Sequence, residues 1–337
     1  MKKLLIAVFI FGVVAAAALL VPRYLAEYKK SVARKTVVYI PLHSTYSQLC
    51  DSLAKAITDI EPFCKVAKSK GLQENFKPGR YTFTPDKTNK EIVRMLQYGW
   101  QTPMMLTLSG NIRNFEKLSS ILGKKLAADS SAFMDCFNSD SVAKQYGFSP
   151  ETFKAIIIPD TYEVYWTISP QEFLDRMKKE YDRFWTPERT SKAADLGLSP
   201  IEVSILASIV CEETNHIPEM PDVAGVYINR LKRGMKLDAD PTVKYALGDP
   251  SIRRILFKHL EVDSPYNTYK YAGLPPGPIT IPGKSGLDAV LNYRNHNYLY
   301  FCANSNMDGT HKFARTLQEH NRNAKEYQAA LNRMKIR

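Results

Sequence analysis

Residues 199–214 read SPIEVSILASIVCEET, and this stretch marks a helix that runs into the candidate chemistry of the main domain. Ser199 offers an N-cap, Pro200 takes the first helical position and Glu202 puts a carboxylate in the first turn, a combination that starts a helix. At about 100° per residue, Val203, Leu206, Ile209 and Val210 line one apolar face, and Glu213 falls on that face while Glu212 lies toward the flank near Ile201 and Ile205. A carboxylate at the end of an apolar face is costly unless it is paired, protonated or used. Two readings follow. Either Glu213 closes the helix, partly exposed or paired with an arginine such as Arg230, or it is a carboxylic acid of raised pKa, as glycosidic cleavage needs to protonate a leaving oxygen.

Working outward, the pattern predicts a helix over 221–231 ended by Gly234, strands over 298–302 and 312–314, and a terminal helix from Leu317. Upstream, 156–166 (IIIPDTYEVYW) reads as a buried strand entering a turn at Pro159 and Asp160, and Ser169 starts a charged amphipathic helix through Phe184. A short strand is expected over 104–108, and Asn111 opens a helix carrying Ile112, Phe115, Leu118 and Leu122. Nearer the start, 35–40 and 77–83 read as strands, each followed by a helix. Ser44 caps the one with Leu49, Leu53, Ala54 and Ile57; Thr88 caps the one with Ile92, Met95 and Leu96. The fold class is α+β: an anchor over 1–22, a small βα module over 36–100, a connector over 101–198 that begins the main domain, and a catalytic region over 199–337.

The 337 residues exceed one ordinary domain, and 45% hydrophobic with 24% charged residues is globular usage that argues against disorder. A net charge of +12 asks for an acidic partner: nucleic acid, an anionic membrane surface or an anionic wall polymer. Residues 4–21 are an uninterrupted apolar run, preceded by Lys2 and Lys3 and ended by Pro22, long enough to span a bilayer as a single transmembrane helix. The small residues Ala15 to Ala18 leave a cleaved signal peptide as the alternative. Arg23, Lys29, Lys30, Arg34 and Lys35 place more positive charge after this run than before it, so charge counting alone puts the remainder on the cytoplasmic side. The five cysteines and six histidines show no metal-ligand spacing; a Cys50–Cys64 bridge stays open, and small buried hydrophobes are the simpler reading.

Residues 207–214 (ASIVCEET) and 222–245 (DVAGVYINRLKRGMKLDADPTVKY) resemble the YceG-like (MltG) family of endolytic murein transglycosylases. Residues 264–269 (SPYNTY), 273–279 (GLPPGPI), 77–83 (KPGRYTF) and 159–162 (PDTY) resemble its other signature segments, so the likeness covers nearly the whole chain. The resemblance implies cleavage between N-acetylmuramic acid and N-acetylglucosamine within glycan strands, leaving a 1,6-anhydro end and limiting nascent strand length. It maps the catalytic acid and base onto Glu213. Where the family commonly reads Glu-x-Glu-Thr, Cys211 replaces the first glutamate, and Ile281 stands where the family often has Asn before Pro-Gly. It also marks Asn229, Asp240, Tyr266, Asn267 and Thr268 as substrate-binding or orienting positions, although Asp-Pro-Thr is equally a helix start and Pro-Tyr-Asn equally a loop.

The module over 36–100 is similar to the family's LysM-like subdomain, which implies contact with glycan; its Lys65, Lys68, Lys70, Lys77 and Arg80 read equally well as a solvated face. The resemblance implies no cofactor and no metal. It implies peptidoglycan as substrate, the cytoplasmic membrane as a partner through residues 4–21, cell-wall synthases as candidate partners and no nucleic acid. The catalytic domain would then lie outside a bacterial cytoplasmic membrane, against the charge count. Ordinary glycosidases need two carboxylates. Here one suffices, because the attacking C6 hydroxyl already belongs to the substrate and intramolecular placement supplies roughly 7–11 kcal/mol. A hydrolytic muramidase using Asp240 to activate water, and a non-catalytic glycan-binding scaffold, are the alternatives.

Overall fold

A computed structural model describes residues 1–109, 112–249, 252 and 254–334. The chain divides into two compact units, Met1–Leu106 with Lys125–Ala128 and Tyr162–Ser169, and Thr107–Lys124 with Asp129–Thr161 and Pro170–Arg337.

The first unit begins with α1 (Lys2–Tyr28), whose apolar stretch has a mean hydropathy of 3.1 with no part of it buried, long and apolar enough to cross a membrane. Pro22, expected to end it, lies inside it. The later turns are held by tertiary contacts: buried Glu27 pairs with Lys70 (3.0 Å) and Lys90 (3.2 Å), and Asn89 Nδ2 donates to the Ala26 carbonyl at 3.0 Å. β1 (Thr36–Ile40) is followed by α2 (Tyr46–Leu53), which Thr45 caps in a capping box with Gln48. Ser44, expected in that role, turns its hydroxyl to the Pro41 carbonyl at 2.8 Å instead. α2 ends at Leu53, so Ala54 and Ile57, read into the same helix, lie beyond it, and a further helix not read in the sequence, α3 (Ile60–Ser69), follows. β2 (Gly79–Phe83) pairs antiparallel with β1, Thr36 facing Phe83 and Ile40 facing Gly79, and α4 (Asn89–Tyr98) starts from the expected Thr88 cap with Glu91. Ile40, Leu49, Leu53, Phe63, Tyr81, Phe83, Ile92 and Leu96 form its core.

β3 (Met104–Thr107) leads into the second unit and α5 (Phe115–Lys125), which begins later than read, with Asn114 Oδ1 accepting from Lys117 N at 2.9 Å; Asn111 lies outside the described residues. After α6 (Ser130–Phe137) and α7 (Asp140–Gln145), a 3-10 turn, Phe153–Ile156, ends where a strand was expected to begin, and residues 157–159 form no regular element. Only past the turn, where Asp160 Oδ1 accepts from Thr161 N at 2.7 Å, does β4 (Thr161–Val164) form and pair with β3. There follow α8 (Pro170–Phe184), α9 (Pro187–Asp195), α10 (Pro200–Glu213), α11 (Met220–Lys232), α12 (Asp240–Leu247) and α13 (Lys284–Leu291). The antiparallel pair β5 (Tyr300–Ala303) and β6 (His311–Ala314), then α14 (Leu317–Arg333), complete the unit.

α10 is the axis of this unit. Its cap matches the reading, Ser199 forming a capping box with Glu202. The single apolar face does not: every residue from Val203 to Val210 is buried, because α9, α11, α12 and α13 all pack on it. Ser204 and Ser208 satisfy their hydroxyls on the carbonyls of Pro200 (3.0 Å) and Ile205 (2.7 Å), so neither marks a wet face. Truncating Leu206, fully buried here, would cost about 2–5 kcal/mol.

Candidate active site

Glu213 is the last residue of α10, after which Thr214 turns extended. Its carboxyl is half-buried at the helix end and accepts a 2.5 Å hydrogen bond from the hydroxyl of Tyr227 on α11, itself buried and edge-on to Phe301. Burial pushes the Glu213 pKa up to about 7; the charges of Asp240 and Glu212 push the same way, while the Tyr227 bond and Arg230 pull it down. Arg230 makes no ion pair with Glu213. Its guanidinium donates to the carbonyls of Leu299 (2.7 Å), Leu237 (2.9 Å) and Lys236 (3.1 Å) and to Asp238 Oδ2 (2.9 Å), so it braces the walls around the acid. Glu212 pairs with Arg113 at 3.3 Å.

A cleft of about 350 Å³ opens at Glu213, lined also by Tyr227, Arg230, Asp240, Tyr269, Tyr300 and His320. A second, of about 600 Å³, shares Glu213 and runs past Thr214, His216, Asn304, Asp308 and His311. The carboxyl therefore stands where two clefts meet. Buried Glu219 ties the β5–β6 wall of the second to this helix end, accepting from His311 N at 2.7 Å, with His311 Nδ1 2.7 Å from its other oxygen. A groove of similar volume, about 590 Å³, lies at the opposite end of α10, where Ile201, Ile205, Leu274 and Pro275 line it; its one carboxylate, Glu202, is spent on the Ser199 capping box. Size alone does not locate chemistry, and that groove offers no free acid.

Of the other positions singled out in the sequence, Asp240 shares the Glu213 cleft. It opens α12, and its Oδ1 accepts from the Tyr269 hydroxyl at 2.7 Å; burial first, and then this bond, drive the Tyr269 pKa upward. Asn267 and Thr268 are buried and do not line that cleft. Asn267 Nδ2 donates to the carbonyls of Leu260 and Val262, both at 2.8 Å, and Thr268 Oγ1 accepts from Ala239 N at 3.0 Å. Together they fix the segment that presents Tyr269 to Asp240. Tyr266 packs against Tyr245, ring centroids 4.7 Å apart and tilted by 51°, away from the cleft. Asn229 Nδ2 donates to the carbonyls of His296 (2.7 Å) and Tyr298 (3.0 Å), fastening the chain ahead of β5 to α11.

Cys211 points away from this chemistry, its thiol facing the first turn of α13. A Cβ on Gly286 would lie 2.3 Å from its Sγ, so only glycine lets α13 approach so closely. Burial raises the thiol's pKa, opposed by the amides of Gly283 and Gly286. Ile281 is a core residue, its N–H donating to the Ile112 carbonyl at 3.0 Å. Tyr227, Tyr269, Tyr300 and His320 were not singled out in the sequence. For Tyr227 a signal existed: a hydroxyl inside the apolar run GVYI needs a buried partner.

The YceG-like family model matches residues 38–326. An endolytic murein transglycosylase of Bacillus subtilis (strain 168) is 46% identical over 127 residues, 38% of this chain and 34% of that protein. One from Streptococcus pneumoniae serotype 2 is 26% identical over 323 residues, 86% of this chain and 58% of its own length. The chain thus spans between 34% and 58% of the length of these curated relatives. The crystal structure of a YceG-like protein from Listeria monocytogenes superposes with a TM-score of 0.54 at 29% identity, over 86% of this chain and 98% of that one. With the family match running from β1 into α14, through the helix that carries Glu213, this chain belongs to the YceG-like family.

Proposed function

We propose that the protein is an endolytic lytic transglycosylase of peptidoglycan, with Glu213 as its acid and base. The observation that carries this reading is the Glu213 carboxyl itself, raised to a pKa of about 7 and held by Tyr227 at the junction of two clefts. An acid of that pKa is substantially protonated at neutral pH, ready to protonate the glycosidic oxygen between N-acetylmuramic acid and N-acetylglucosamine. The resulting carboxylate accepts the Tyr227 hydrogen bond and removes the proton of the muramic C6 hydroxyl as that oxygen closes the 1,6-anhydro ring. Clefts on both sides of the acid suit cleavage within a strand, where sugars extend both ways. The names of the Bacillus and Streptococcus relatives support the same reaction.

In this reading α1 anchors the chain in the cytoplasmic membrane with the catalytic unit outside, where the glycan is, and cutting there limits nascent strand length beside cell-wall synthases. The LysM-like module contacts glycan; exposed Tyr98 and Trp100, stacked at 5.5 Å, offer a flat apolar surface to a sugar ring. A reporter active only outside the cytoplasm, fused after residue 337, tests the orientation: activity supports it and silence refutes it.

Hydrolysis is the second reading, favoured by the presence of Asp240 in the same cleft, where it would activate water. Digestion of purified peptidoglycan by the full chain in detergent, beside Glu213→Gln, separates the two by mass spectrometry of the ends. Anhydro ends lost in the variant support transglycosylation, reducing ends establish hydrolysis, and no cleavage by either protein favours a glycan-binding scaffold.

A further inference from the structure

The wall of the Glu213 cleft contributed by α14 carries a histidine that the reaction above does not use. His320 lies one turn into the helix, and its position is set by a capped start: its N–H donates to the Thr316 carbonyl at 3.0 Å, while Thr316 Oγ1 accepts from Glu319 N at 3.2 Å. Its ring leans on Tyr300, centroids 5.6 Å apart at 31°, and the Arg230 guanidinium lies 5.1 Å from the same Tyr300 ring. Three planar groups thus line the cleft that also holds Glu213 and Asp240.

His320 Nδ1 is buried without a hydrogen-bond partner among the described residues. An unpaired buried N–H is rarer in proteins than an unpaired acceptor, so we assign the ring proton to Nε2, the other nitrogen of a ring that lines the cleft. Burial, helped by the charge of Arg230, lowers the pKa of the imidazole and so favours its neutral form. A neutral ring with one free N–H in a cleft is a hydrogen-bond donor awaiting an acceptor.

We propose that His320 is a substrate-binding residue, its Nε2–H donating to a hydroxyl or acetamido oxygen of the amino sugar seated beside Glu213, with the Tyr300 ring packed against the sugar's apolar face. This rests on the glycan reading of the site. Binding is assigned to the ring nitrogen and not to its charge, so an uncharged donor of similar reach replaces it.

The test measures KM and kcat on uncrosslinked glycan strands for the full-length protein in detergent micelles, with His320→Phe and His320→Gln. Phe keeps the packing and loses the donor, and is expected to raise KM about tenfold with kcat little changed. Gln keeps a donor and is expected to stay within about threefold of the parent. His320→Ala, with free imidazole restoring the KM, repeats the comparison without dependence on ring packing. Parental KM in the Phe variant, or no recovery with Gln or imidazole in proteins that melt with the parent, overturns the assignment. Cleavage by the parent together with an unaffected Phe variant sinks the His320 inference alone. A parent that does not cleave, with a Glu213→Gln variant that does not bind the strands, removes the glycan reading and this inference with it.

Discussion

Tyr227→Phe isolates the single hydrogen bond that tunes the acid. The substitution keeps the ring that packs edge-on to Phe301 and deletes only the hydroxyl 2.5 Å from Glu213 Oε1. That hydroxyl donates to the carboxyl and so favours its charged form; removing it favours the protonated form, and the Glu213 pKa must rise from its value of about 7. A hydrogen bond to a charged group contributes about 1.5–3 kcal/mol, and one pKa unit corresponds to about 1.4 kcal/mol, so the shift is about 1–2 units upward. With Glu213 as the catalytic acid proposed above, activity is expected to fall at alkaline pH as it loses its proton, so the alkaline limb of the rate profile moves up by the same amount. The plateau falls as well, by about tenfold, since the carboxyl is no longer held in place. The assay is release of glycan ends by the full-length protein in detergent from pH 5 to 10. An alkaline limb that stays where it is, or moves down, refutes the claim that Tyr227 sets the acid.

Glu213→Gln is expected to stabilise the fold at alkaline pH. The native pKa of about 7 lies above the ordinary 4.5, so between those values the folded state keeps a proton that the unfolded state has lost, and stability falls as pH rises through that window. The gain in the variant is at most about 3 kcal/mol, reduced by the solvent contact of the carboxyl; thermal melts should separate variant from parent at pH 8 and converge near pH 4.5, and equal differences at both refute it. Arg230→Met leaves three carbonyls and Asp238 without their shared donor and should cost about 3–5 kcal/mol in denaturant unfolding; a loss under 1 kcal/mol would show that these groups find other partners. Gly286→Ala should cost about 1–3 kcal/mol by driving a methyl into Cys211 Sγ, and Cys211→Ala in the same chain should recover most of it; additive losses in the double mutant would place the clash elsewhere.

Helix starts were legible wherever a side chain closes a local ring. Thr88 with Glu91 and Ser199 with Glu202 form the capping boxes the sequence announces, because three residues suffice to define them. The Ser44 misplacement has the same locality: Ser44 and Thr45 compete for one role, and the nearby Pro41 carbonyl takes Ser44 out of it. The strand expected from Ile156 failed for a different reason. A run of buried isoleucines reports burial, not period, and Pro159 with Asp160 places the turn before the strand.

Glu213 was legible as an anomaly and its surroundings were not. A wheel of α10 places a carboxylate among apolar positions, yet the helix is apolar all round, and what sets Glu213 apart is that it ends the helix where the packing stops and the clefts begin. Its partners come from Tyr227 on α11, Asp240 on α12, Tyr269 in a loop, Tyr300 on β5 and His320 on α14. No periodicity relates positions so far apart; the packing of α11 and α12 on α10, of β5 on α11 and of α14 on β5 brings them to its end. Asn229, Asn267 and Thr268 shape the site from outside the Glu213 cleft, holding backbone so that Tyr269 and the β5 wall meet the acid. On the transglycosylase reading proposed above, that division of labour fits the chemistry: a substrate that brings its own nucleophile asks of the protein one tuned acid and a rigid frame, and polar side chains spent on main-chain carbonyls make the frame.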